Sequence, residues 1–100
     1  MKTRVDYDTA LKVVGLVIDA WDPYGLLKGG APSDEFHSEI ESLVTRIRRI
    51  RSPEDAAKET STIFSAAFEP QYFTLAACTK VGTKLYDRLK EADLLSTPKA

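Results

Sequence analysis

Apolar residues recur along this chain at spacings of three and four, the interval that lines up one face of an α-helix. Leu11, Val14, Ile18 and Trp21 form such a stripe, widened by Val13 and Val17. It predicts a first helix from about Asp6 to Ala20, with Asp6 or Asp8 as its cap. Gly15 weakens that helix unless another element needs the space beside it. Trp21-Asp22-Pro23 ends it, because the residue before a proline is pushed out of helical geometry.

A loop from Asp22 to Pro32 follows, rich in glycine and proline. Asp22 can open one short helical turn reaching Leu26 or Leu27, two leucines placed to pin the loop to the core. Loops of this length in a small domain are often functional. The second helix starts at Pro32 or Ser33 and carries the stripe Phe36, Ile40, Leu43, Val44, Ile47, Ile50. Its acids (Asp34, Glu35, Glu39, Glu41) come first and its arginines (Arg46, Arg48, Arg49, Arg51) last, which suits the helix dipole.

Ser52-Pro53-Glu54-Asp55 reads as a helix start: cap, proline at the first helical position, acids in the first turn. The third helix then turns Ala56, Ala57, Thr60, Ile63, Phe64, Ala67 and Phe68 inward, and Glu69-Pro70 stops it. A fourth helix covers about Gln71 to Ala92, with a start that can lie a few residues later. Leu75, Cys78, Val81, Leu85 and Leu89 are in register on it, and Gly82 is a weak point. No alternation of period two is long enough for a strand. The fold class is all-α: a compact four-helix array with a long Pro/Gly loop between helices one and two.

Composition adds bounds rather than detail. One hundred residues suit one domain, 1–100, with Ser96–Ala100 expected to fray. Hydrophobic residues at 43% and charged residues at 29% are ordinary globular values, so disorder is not expected. The single cysteine, Cys78, leaves no intrachain disulfide and no paired-cysteine metal motif, and it reads as a small buried residue. The charged start Met1–Asp8 has no apolar run behind it, and the stretch Val13–Ile18 is too short to span a bilayer. A cytoplasmic protein is expected.

Candidate chemistry has a competing structural explanation at each place. Asp22, Asp34, Glu35 and His37 are oxygen and nitrogen donors, but their spacing matches no metal loop, so no metal and no cofactor are expected. His37 is the only histidine, and no nucleophile motif accompanies it; a hydrolase using His37 and nearby carboxylates is the weakest functional class. The run Arg46–Arg51 invites nucleic acid, yet its isoleucines belong to the core stripe and its arginines can pair with Glu54 and Asp55. With a net charge of −1, the chain has no basic excess to neutralise phosphates. Gly29-Gly30 has neither the P-loop sequence nor a preceding strand. Phe64, Phe68, Tyr72 and Phe73 read as core packing between helices three and four.

The segment Trp21-Asp22-Pro23-Tyr24-Gly25-Leu26, followed by Gly30-Ala31-Pro32-Ser33-Asp34-Glu35-Phe36, resembles the hallmark of the YugE-like, DUF1871 family of small bacterial helical proteins. The likeness covers about residues 21–40, with compatible helical patterning elsewhere. This chain departs from the hallmark with Phe36 in place of tyrosine and His37 in place of an acid. The resemblance implies the helical fold and assigns no activity. Small acidic-patched helical proteins of this kind can act as immunity proteins, so the expectation is a non-catalytic protein-binding module that neutralises a bacterial toxin. An acidic rim would dock on a basic, nuclease-type active site, with Asp22, Tyr24, Asp34, Glu35 and Glu39 as contact residues. No nucleic-acid or membrane partner is expected, and the chain would be a monomer or weak dimer. The alternative is a stand-alone regulatory or structural domain, including a homodimer joined through a helix face.

Overall fold

In the computed structural model, residues 4–32 and 34–95 are described, and they form four α-helices with no strand. These are α1 (Arg4–Trp21), α2 (His37–Thr45), α3 (Pro53–Ala67) and α4 (Leu75–Glu91). Short 3-10 turns lie at Pro23–Gly25, Ile47–Arg49 and Pro70–Tyr72. Packing follows a closed cycle: α1 lies against α2, α2 against α3, α3 against α4, and α4 against α1. Each helix turns one stripe inward, and the stripes meet in a single apolar cluster. Ser96–Ala100, expected to fray, fall outside the described residues.

α1 begins before either proposed cap, so Asp6 lies within the first helical turn, where its carboxylate complements the helix dipole. Gly15 would carry a Cβ without strain: its nearest neighbour is Ile40 Cδ1, at 3.8 Å.

α2 starts at His37, later than the expected Pro32 or Ser33; Ser33 itself is not among the described residues. The preceding residues coil in three-residue turns instead. The amide of Glu35 donates to the Pro32 carbonyl, and that of His37 to the Asp34 carbonyl, both at 3.0 Å. Asp34 and Glu35 therefore precede the helix rather than opening it. The C-terminal end tightens in the same way. Arg46, Arg49 and Ile50 each donate to a carbonyl three residues back, so the α-helix gives way to a 3-10 turn. The arginine run thus lies at and beyond the end of α2, not in its last turn. Arg46 pairs with Glu59 on α3 at 3.0 Å. Asp55 accepts the backbone amide of Arg51 at 3.0 Å rather than a guanidinium.

α3 starts as the sequence dictates: the Ser52 hydroxyl accepts the Asp55 amide, and Pro53 opens the helix. Ala56, Ala57, Thr60, Ile63 and Phe64 are buried, whereas Ala67, expected inside, is exposed. Thr60 satisfies its buried hydroxyl by donating to the Ala56 carbonyl. α4 starts at Leu75, capped by the Thr74 hydroxyl. As first residue of the helix, Leu75 is 53% exposed rather than part of the core stripe. At Gly82, α4 packs directly against the α3 backbone. A Cβ there would lie 2.5 Å from both the Cα and the amide nitrogen of Ala57. It is a packing requirement rather than a weak point. At the end of α4, Leu94 donates to the Leu89 carbonyl and Asp93 (φ 58°) to that of Lys90, a Schellman closure in which both leucines are buried.

Candidate functional site

Past Trp21 the chain turns by adopting left-handed geometry three times in four residues: Asp22 (φ 45°), Tyr24 (φ 65°) and Gly25 (φ 64°). Glycine accepts this conformation freely and aspartate tolerates it, but for tyrosine it is uncommon and costs about 1–3 kcal/mol. One helical turn follows, closed by the Gly29 amide on the Gly25 carbonyl at 2.9 Å. Gly30 (φ 103°) ends that turn, and Ala31 donates back to Leu26.

The Asp22 carboxylate braces the turn. Its Oδ1 accepts the Leu27 amide at 2.8 Å and its Oδ2 the Lys28 amide at 3.0 Å. Contrary to the sequence expectation, the Asp22 side chain does not cap the turn that opens at Pro23; it accepts amides five and six residues on instead. Leu26 and Leu27 pack against the core cluster, as the sequence suggests.

This backbone places the Tyr24 ring half out of the protein, 47% exposed, on an aromatic floor. Its centroid lies 5.7 Å from that of Phe68, 5.6 Å from Phe73 and 6.0 Å from Tyr72, all edge to face. Beneath them Phe64 is fully buried and stacks on Phe68, and Trp21 meets Phe64 and Phe73 edge-on. Such pairs add roughly 0.5–1.5 kcal/mol each beyond burial. The Tyr24 hydroxyl donates to Glu69 Oε1 at 3.0 Å. Loss of hydration beside its neighbours, and then this bond to a carboxylate, hold the phenol above its ordinary pKa. Tyr72, 58% exposed, completes a surface of two tyrosines flanking an acid. Tyr72 belongs to the aromatic cluster visible in the sequence, but it faces solvent. Glu69 gave no signal except as a helix stop, since its partner is 45 positions away.

The other candidate acids are dispersed. Asp34 lines a shallow groove of about 220 Å³ between α1 and α2, with Asp19, His37 and Ile40. Glu39 lines a different groove, between α2 and α3, with Ser42, Arg46 and Ile63. Glu35 is exposed on the turn before α2. Phe36, next after Glu35 in the chain, reaches the aromatic cluster, its ring 6.3 Å from that of Phe68.

In the α1–α2 groove, burial and then the nearby charge of Asp22 raise the Asp19 carboxyl above its ordinary pKa. Its Oδ1 is buried and without a hydrogen-bond partner among the described residues. The His37 imidazole sits in solvent, 3.5 Å from Glu41 one turn on. Among the described residues no three His, Cys, Asp or Glu side chains are grouped to hold a metal. No helix of those residues is long and apolar enough to cross a membrane. Cys78 is buried as expected, and burial pushes its thiol up to about 11, far from the reactive range.

Comparison with known proteins identifies a family. A family model matches residues 13–93, that of DUF1871, a domain of unknown function. No curated protein and no solved structure matches the chain.

Proposed function

The chain belongs to the DUF1871 family, and within it we propose that this member is a non-catalytic protein-binding module that presents Tyr24 as its anchor. One observation carries this reading. A tyrosine is held at φ 65°, half exposed, by a loop whose own amides are braced by Asp22. Backbone strain of that kind persists only where the surroundings enforce it, and it concentrates at functional positions. Its product here is a rigid, amphipathic ring with a second exposed tyrosine beside it. Tyrosine is enriched among the residues that dominate binding energy, because it supplies area with little entropy to lose. The His37 ring, in solvent and paired with Glu41, suits a surface role better than that of an enclosed base.

The specific role is neutralisation of a bacterial toxin domain by occlusion. Tyr24 and Tyr72 insert at a cleft and Glu69 beside them meets a basic group there, while the exposed acids Asp34 and Glu35, on the turn before α2, steer the approach. Charge complementarity at the rim speeds association and selects the partner.

The test uses the tagged chain as bait in an extract of the producing bacterium, followed by binding measurements on the partner recovered. Tyr24→Ala is expected to weaken that complex at least about tenfold. The double charge reversal Asp34→Lys/Glu35→Lys should slow association and remove its salt dependence. Unchanged affinity in all these variants, or a folded monomeric bait that recovers nothing, would overturn the reading.

A further inference from the structure

A second face, independent of the tyrosine surface, runs along the seam between α1 and α4. Two depressions, of about 510 and 370 Å³, lie end to end there and share Val17, Ala20 and Lys84, so they form one groove. The α1 wall is apolar throughout, from Val13 to Trp21. It includes Leu16, which at 69% is the most exposed large apolar side chain of the described residues. The α4 wall carries Lys80, Lys84 and Arg88, spaced by four and therefore on one row of the helix. Glu91 is the single carboxylate lining the groove, and Arg88 engages it at 3.1 Å. A chain of net charge −1 thus collects three cations along one apolar trough.

We propose that this seam docks an acidic amphipathic helix of a partner protein. Length supports a helical occupant. From Ala77 to Ala92 the groove runs about 22 Å at 1.5 Å per residue, four turns of a helix laid alongside. A helix satisfies its own backbone, whereas an extended peptide on this apolar floor would bury amides with no sheet edge to receive them. The occupant's apolar stripe covers Val13, Leu16, Val17 and Ala20. Lysine stems lie along its flank, and their ammonium groups reach carboxylates at the rim. The row of cations excludes a basic helix and fixes the side on which the acids must lie.

The experiment is an amide-resolved NMR titration of the full chain with a synthetic amphipathic helix of about four turns. One version has leucine and alanine on its inner face and glutamate on its flanks; the other has lysine in place of glutamate. Shifts confined to Leu16, Ala20, Lys84 and their neighbours are expected, with the glutamate version at least about tenfold tighter at low salt. The exposed double variant Lys80→Glu/Lys84→Glu should invert that preference while its circular dichroism stays that of the parent. Equal response to both peptides, or shifts away from the seam, would overturn the proposal. So would seam resonances that move with the protein's own concentration, which would make a second copy the occupant. Decanoate that reproduces the same shifts and displaces the peptide would also overturn it, in favour of a small anionic amphiphile. None of these outcomes bears on Tyr24, so the two readings fail separately.

Discussion

Between Ser52 and Leu94 the chain closes its helix ends with local devices: a serine cap, a threonine cap, a short 3-10 turn and a Schellman turn whose left-handed residue is Asp93. Between Trp21 and Phe36 it uses left-handed residues, three-residue turns and a carboxylate reaching five and six positions forward. The first region derives its stability from two helices in direct backbone-level contact at Gly82 and Ala57. In the second, the apolar anchors Leu26 and Leu27 are only partly buried, and a charge holds the geometry. One region is a scaffold, and the other holds a shape that a bare helical array would not need. That division is what would be expected if binding were assigned to the loop and stability to the pair.

The two glycines within helices give the sharpest test of this contrast. Gly82→Ala is expected to cost about 1–3 kcal/mol, because the added methyl group meets backbone that cannot retreat. Gly15→Ala, with only Ile40 Cδ1 at 3.8 Å, should instead gain about 0.5–1 kcal/mol from helix propensity. Urea unfolding of both variants measures this, and equal effects would erase the special status of the α3–α4 contact.

A smaller loss, about 1–2 kcal/mol, is expected for Asp22→Ala, which leaves the Leu27 and Lys28 amides without their acceptor. Hydrogen exchange should accelerate at those two amides more than in α3 or α4. Uniform acceleration across the chain would mean that the loop is not a separable unit.

The smallest effect concerns Asp19. Its pKa in the folded protein is raised, so the folded state holds this proton more tightly than the unfolded chain does. The site therefore favours folding progressively as pH falls through the raised value toward the ordinary 3.8, and opposes folding at neutral pH. Asp19→Asn should stabilise the protein near neutrality by less than about 1 kcal/mol, with the gain over the parent shrinking as the solution is acidified. A gain independent of pH would remove the carboxyl's burial as its cause.

Much of the scaffold could be read from residue order, because its signals are local. Ser52-Pro53 marks a helix start within four residues, and the stripe from Phe36 to Ile50 is buried throughout. The boundaries of α2 were not legible, since a spacing of three serves an α-helix and a 3-10 turn equally well. Ile47 and Ile50 stay inside while the backbone around them changes type. Gly82 looked like a defect, as the sequence does not show what faces a helical position. At the candidate site, Asp22 and Tyr24 stood out through the loop they occupy. Glu69 and Tyr72 are joined to Tyr24 only by tertiary contacts, a hydrogen bond and a ring contact respectively. Asp34 and Glu39 line grooves on opposite sides of α2, a separation that even an unbroken helix would give, since positions five apart lie about 140° around its axis.

The brace at Asp22 also limits which alphabet of residues the position can accept. It must sit at φ 45°, which disfavours branched and bulky side chains, and offer two acceptor atoms to two separate amides. Asparagine meets the first condition but turns a donor toward one of those amides, glycine offers no acceptor, and glutamate lacks the tolerance for left-handed backbone. Aspartate alone among the twenty meets both conditions. A library randomised at this codon and selected only for a folded loop should therefore be enriched in aspartate, with asparagine next, before any requirement of binding is imposed.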